Sequence, residues 1–281
     1  MTVRSAQPLV LVVLLAATLA GGCSRSRVAS PGDVSRDPNV LVAYVCCGFV
    51  PDIEDAKAQF ESDNKGKSVR IESGEPASLV ERIRSGSVPD VVIFPGDAEI
   101  GILEREGFLD RGSRQAIGSL RTAVAVRRDN PVVIDSYAAL TSNAVRSIAM
   151  STPGITSLGT DGKQALERAG VWSKLQGKLS LQTSALGALE QVVEGQADAA
   201  IVYDPCFALS QADTIPPESL RIVALPRAGD ERPVSVYVVV HKRSPNALLA
   251  QRLIRLLESR QLEPPSPPPP ADAGEQPEEP E

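Results

Sequence analysis

The sequence predicts an α/β fold built as two lobes. Short apolar runs of strand length alternate with amphipathic stretches of helix length, and the turns between them are brief. The scheme runs once over residues 40–106 and again from residue 122 onward. Alternation of this kind calls for parallel strands joined by right-handed crossovers, with ligands beyond the carboxyl ends of the strands.

The elements follow in order. Val40 to Val45 is an unbroken apolar run of strand length. From Asp52 to Ser62, Ile53, Ala56 and Phe60 recur at helical spacing, with Asp52 placed to cap. Val69-Arg70-Ile71 predicts a second strand, and Leu79 with Ile83 marks a second helix. Val91 to Phe94 is a third strand, ended by Pro95-Gly96, and Ala98 to Glu106 a third helix, stopped by Gly107. The second round has strands at 122–126, 147–150 and 199–203, with helices at 163–169 and 186–194 between them. Strands at 221–225 and 234–240 and a helix at 246–258 complete the folded part.

The ends read differently. Arg4, the apolar run Leu9 to Leu19 and the small residues before Cys23 describe a secretory signal, too short to span a bilayer. A cysteine directly after Leu19-Ala20-Gly21-Gly22 resembles the bacterial lipoprotein signal, in which the thiol is lipidated and becomes the new N-terminus. The expectation is a signal peptide at 1–22, Cys23 lipidated, a polar tether at 23–39 and an extracytoplasmic protein anchored to a membrane through its lipid. Residues 261–281 are rich in Pro, Glu, Ala and Ser and carry six acids and no base, so a disordered acidic tail is expected. Of the net charge of −6, about −1 belongs to residues 23–262. A nearly neutral domain lacks the basic stripe of a nucleic-acid binder.

Four stretches resemble the periplasmic molybdate-binding proteins of ABC importers. LVAYVCCGFVPDIEDAKAQF (41–60) has that family's strand, small-residue loop and amphipathic helix. SLVERIRSGSVPDVVIFPGD (78–97) has its helix, Gly-x-x-x-Asp and strand. LERAGVWSKLQGKLSLQTSALGALEQVVEGQADAAIVYDP (166–205) carries Gly-x-Trp, Lys-Leu, a helix, Glu-Gly-x-Ala-Asp-Ala and Ile-Val-Tyr in the family's order. VSVYVVVHKRSPNALLAQRLIRLL (234–257) matches its returning strand and helix. The resemblance implies a type II periplasmic-binding-protein fold, with lobe 1 at 40–120 plus 228–260, lobe 2 at 121–227 and a ligand cleft between them. It implies a monomer without catalysis or cofactor, handing a small inorganic ion to an ABC importer permease.

Carried over position by position, the family's site falls on Gly48, Glu75, Pro76, Leu158, Ala185 and Tyr203. Only Tyr203 keeps the family's residue type. Gly48 stands where the family has Ser after the first strand, and Glu75-Pro76-Ala77 where it has a serine cluster, although Ser78 is placed to cap the helix. Ser157-Leu158 replaces a Pro-Ala pair. Pro76 removes one backbone donor, and Glu75, turned into the cleft, repels an anion. The family default is a molybdate or tungstate oxyanion held by hydroxyls and helix N-termini.

Cysteines suggest a rival. Cys46 and Cys47 follow the first strand and Cys206 lies just after Tyr203, so three thiols could meet across the cleft with Glu75 and Asp204 near. Such a set suits a thiophilic metal ion or metalloid. The alternatives are inert buried thiols, a disulfide, an extracytoplasmic thiol enzyme, or a sensory lipoprotein presenting the clamp to another protein. His241, the single histidine, reads as a surface residue, and Trp172 as packing at a helix–strand junction.

Overall fold

The computed structural model describes residues 37–46, 49–204, 215–223, 225 and 233–260. The sequence expectations for the signal peptide, most of the tether and the acidic tail fall outside these residues, as do Cys23, Cys47, Gly48 and Cys206.

Among the described residues nine strands form one mixed sheet in the order β2-β1-β3-β9-β4-β7-β5-β6, with β8 also paired to β4. The strands are β1 (Val40–Cys46), β2 (Ser68–Gly74), β3 (Val91–Pro95), β4 (Gln115–Arg127), β5 (Ile148–Ser151), β6 (Leu179–Gln182), β7 (Ala199–Asp204), β8 (Leu220–Val223) and β9 (Val234–Val240). The helices are α1 (Val50–Asp63), α2 (Pro76–Arg84), α3 (Ala98–Arg105), α4 (Ser157–Arg168), α5 (Trp172–Leu175), α6 (Ala185–Val193) and α7 (Ala247–Arg260).

The expected all-parallel pairing holds for part of the sheet. β1 pairs with β2 and β3 in parallel, and β5 does so with β6 and β7. β9 is antiparallel to both β3 and β4, and β4 is antiparallel to β7 and β8. β9 lies between β3 and β4 although it is the last strand. β3 and β4 are both antiparallel to β9 and so run parallel to one another, joined through α3 with β9 inserted between them.

β4 is the shared strand. Gln115–Leu120 pairs with β9, and Arg121–Ala125 pairs with β7. The register shifts between Ala116 and Gly118, a bulge next to a glycine, as expected for an interrupted strand.

Each half of the sheet buries both faces, as its apolar runs require. In the first half Leu41, Ala43 and Val45 meet Ile53, Ala56 and Phe60 of α1 and Leu253 and Leu257 of α7. Tyr44, Val92 and Phe94 point the other way, onto Leu79 and Ile83 of α2 and Ile100 and Leu103 of α3. In the second half Ile148, Met150 and Ile201 pack on α4, while Ala149, Ala200 and Val202 pack on Ala188, Leu189 and Val192 of α6. Alternation along each strand assigns alternate side chains to opposite layers. Trp172 is half-buried against the α4 layer, in line with the packing role read for it. No helix among the described residues is long and apolar enough to cross a membrane.

Three local expectations are corrected. α1 begins at Val50, so Asp52 lies in its first turn and makes no side-chain cap. α2 has Glu75 at its N-cap position, without a side-chain cap hydrogen bond, and opens on Pro76, which puts Ser78 inside the helix. Proline is well suited to that first position, where its missing N–H has no helical partner to lose. His241 is 1 % exposed, not a surface residue. It follows β9, its Nδ1 accepts from the Arg243 N–H at 3.1 Å, and its backbone N–H donates to the Asp90 carbonyl.

Burial first, then Arg243, lowers the His241 pKa from 6.5 to about 4, against an opposing pull from Asp90. Between those values the unfolded chain holds a proton that the folded chain lacks. The group therefore adds stability as pH rises through this window and withdraws it as pH falls. Asp161 in α4 has the opposite sign, because burial lifts its pKa from 3.8 to about 6. Between those values the folded chain holds the extra proton, so stability falls as pH rises. Opposite behaviour is expected of two variants. His241→Asn should gain melting temperature relative to the parent on going from pH 7.5 to 4.5, and Asp161→Asn should lose it. Thermal unfolding at the two pH values checks both signs.

Candidate functional site

The two halves of the sheet meet through helix N-termini. An isolated helix start exposes unpaired N–H groups and the positive end of its dipole. α4 and α6 solve this in the same way. Each has its own capping hydroxyl, and each receives a carboxylate from the opposite half.

At α4, the Thr156 Oγ1 accepts the Gly159 N–H at 3.0 Å. The first helical N–H, that of Ser157, donates to both carboxylate oxygens of Glu99 at 3.1 Å. The Ser157 hydroxyl also donates to Glu99 and accepts the Ala98 N–H at 3.0 Å. Ala98 opens α3, so two helix starts face each other with one carboxylate between them. That negative charge offsets the repulsion of two positive dipole ends. Glu99 is 4 % exposed; burial pushes its pKa up, and the Ser157 contacts pull it back down.

At α6, the Ser184 Oγ accepts the Gly187 N–H at 3.0 Å. The Leu186 N–H donates to the Glu75 Oε1 at 2.9 Å. Glu75 does reach the opposite half, and the donor it meets belongs to Leu186, one residue beyond Ala185. Ala185 is the first residue of α6 and is partly buried. Leu158 is the second residue of α4 and is buried, and Ser157-Leu158 begins the helix.

Tyr203 leaves β7 and packs against the first-half core, so its ring bridges the halves. Its hydroxyl donates to the Asp161 Oδ2 at 2.7 Å, committing its only proton to that carboxylate. Burial first, and Asp161 next, raise the Tyr203 pKa well above the usual value. Cys46 ends β1 opposite Gly74 of β2 and is half-buried against both layers of the first half. Among the described residues no group of three His, Cys, Asp or Glu is placed to hold a metal ion.

The halves also approach closely at Gly96, just after β3. Its φ is +70°, and a Cβ there would lie 2.5 Å from the Ser157 Cβ and 2.6 Å from its Oγ. A side chain at 96 is therefore excluded both by backbone conformation and by space.

Reasoning from sequence does not single out Glu99, Asp161 or Leu186, and it marks Ser157 only as half of the Ser157-Leu158 pair, not as a partner of Glu99. A signal for Glu99 was present. It lies four residues before Leu103 and next to Ile100, on the buried face of its helix, where a carboxylate needs a partner. Asp161 was missed because the helix was expected only from Lys163, although Thr156 is a strong N-cap.

Such an arrangement, two half-sheets on a shared strand with helix N-termini of one turned to the other, is that of a binding protein. The chain belongs to the bacterial extracellular solute-binding proteins, whose family profile matches residues 41–264. The resemblance to periplasmic molybdate-binding proteins holds across the folded part. The molybdate-binding protein ModA of Mycobacterium tuberculosis is 24 % identical over 250 residues, covering 89 % of this chain and 90 % of that protein. The periplasmic molybdate-binding protein of Azotobacter vinelandii superposes with a TM-score of 0.58 at 25 % identity, covering 78 % and 92 % of the two chains. The sulfate-binding protein SubI of M. tuberculosis shares the fold, with a TM-score of 0.61 at 15 % identity over 78 % and 82 %. These relatives bind solutes and are not enzymes.

Proposed function

We propose that the protein is the lipid-anchored, extracytoplasmic solute-binding component of an ABC importer, and that its guest is a small oxyanion of the molybdate or tungstate class. The lobes of this reading are 40–120 plus 228–260 and 121–227, closing on the guest by a hinge motion. A permease in the membrane receives it, and Cys23 carries the lipid.

One observation carries the choice of an anion. The N-termini of α4 and α6 already engage negatively charged oxygens, those of Glu99 and Glu75, through the N–H groups of Ser157 and Leu186. Donors that suit a carboxylate oxygen suit an oxyanion oxygen for the same reasons of dipole and geometry. The names of the relatives point the same way. A thiophilic guest held by Cys46, Cys47 and Cys206 is the rival outcome of the test.

The test is a thermal-shift panel of molybdate, tungstate, sulfate, arsenite, Zn²⁺ and Cu(I) on the parent and on Cys46→Ala. A ligand at a hundred times its Kd adds about 2.7 kcal/mol, or roughly 5–11 °C for a domain of this size. Molybdate or tungstate is expected to give that shift in both proteins. A shift from Zn²⁺, Cu(I) or arsenite alone, lost in Cys46→Ala, would overturn the oxyanion reading.

A further inference from the structure

We infer that Glu75 and Glu99 are a two-point latch, built-in anions that hold the halves together by occupying helix N-termini of the opposite half, so that an incoming oxyanion has to displace Glu75. The displacement rests on the oxyanion reading above; the holding does not.

The geometry is repeated at two independent places. At α4 and α6 alike, the chain's own hydroxyl takes the third N–H, and a carboxylate from across the boundary takes the first or the second. A helix needs no second cap from a distant segment to form. What these carboxylates add is attachment between halves. Glu99 spans 58 residues of sequence to Ser157, and Glu75 spans 111 to Leu186.

The two points differ in depth. Glu99 is almost fully buried, hydrogen-bonded by a backbone N–H and a hydroxyl and wedged between two helix starts. Breaking it strands a buried carboxylate, which makes it the fixed point. Glu75 is partly exposed and its side chain has one hydrogen bond among the described residues, so water can replace its partner. It is the point that can open. An oxyanion arriving at Leu186 competes for the same N–H, and the displaced carboxylate stays nearby as a like charge. Glu75 thereby sets how strong an anion must be to enter.

The experiment uses the full chain and the isosteric variants Glu75→Gln and Glu99→Gln. Hydrogen exchange is followed at the segments starting α4 and α6 with no oxyanion present, and molybdate affinity is measured by calorimetry. Glu75→Gln is expected to speed exchange at the start of α6 about tenfold and to tighten molybdate binding by a similar factor. Glu99→Gln is expected to speed exchange at the start of α4. Unchanged exchange in both variants, with molybdate bound equally by parent and Glu75→Gln, overturns the latch and leaves the oxyanion reading standing. Faster exchange in both variants, with no oxyanion bound by any of the three proteins, supports the latch as a fastening and removes the oxyanion reading.

Discussion

Gly96→Val is expected to wedge the halves apart and to weaken capture of the proposed oxyanion, with molybdate as the probe, at least tenfold. Two effects act together. Gly96 has a φ of +70°, which in a residue with a Cβ costs roughly 1–2 kcal/mol. That strain is present whether the halves are together or apart. The second effect is specific to their approach. The added Cβ would sit 2.5 Å from the Ser157 Cβ and 3.2 Å from the Asp161 Oδ2, and the neighbour is the rigid first turn of α4 rather than a flexible tip. Relief requires α4 to move away, which also breaks the Ser157 contacts to Ala98 and Glu99. A closing penalty of about 1.4 kcal/mol is a tenfold loss of affinity. Calorimetry gives the affinity and small-angle scattering the widening. An unchanged Kd with unchanged dimensions would show that the halves need not approach there.

Asp90→Ala is expected to cause a large loss of stability. Asp90 is 2 % exposed and precedes β3. Its carboxylate accepts the Val42 N–H at 2.7 Å, the Ser244 hydroxyl at 2.5 Å and the Asn246 Nδ2 at 3.4 Å. Its backbone N–H donates to the Val42 carbonyl, and its carbonyl accepts the His241 N–H. One side chain thus ties β1, the turn after β9 and the start of α7. Alanine leaves the part-buried Val42 N–H and Ser244 hydroxyl without this acceptor, at about 1–2 kcal/mol each because water can reach both. The expected total of about 2–4 kcal/mol lowers the melting temperature by roughly 4–16 °C. Asp90→Asn keeps one acceptor oxygen and should lose less. Equal melting temperatures for parent and Asp90→Ala would refute this role.

Much of the fold was legible because its strands are apolar runs with punctuation. β9 was read at its true bounds and β1, β3, β5 and β7 within one residue, since Val, Ile and Ala crowd them and glycine or proline ends them. β4 was read as 122–126 but starts at Gln115. Its first half carries Gln115, Gly118 and Ser119 and is made a strand by its pairing with β9, a long-range contact no local window contains. β6 was missed for the same reason, since Leu179–Gln182 is short and mostly half-buried. The antiparallel placement of β9 depends on where the returning chain inserts, which periodicity does not encode.

At the site, the sequence located the right elements and one of the decisive groups. Glu75 was singled out as a carboxylate that could enter the cleft, and it crosses to the opposite half. Its partner could not be read, because a backbone N–H has no letter in the sequence. Glu99 and Ser157 form a contact that leaves only a faint trace in composition, one carboxylate on an apolar helix face. Tyr203 keeps its residue type yet spends its proton on Asp161, a pairing invisible at 42 residues' separation.

Oxyanion capture requires an N–H donor free to exchange its carboxylate at the start of α6, that of Leu186. The most direct measurement follows the molybdate titration of the ligand panel at single amides, with ¹H–¹⁵N spectra of the full chain. A saturable shift of the Leu186 amide, in step with the change in melting temperature, is the predicted result, with the Ser157 amide, held by Glu99, as the unmoved reference. Saturable binding that leaves the Leu186 amide unmoved would contradict it.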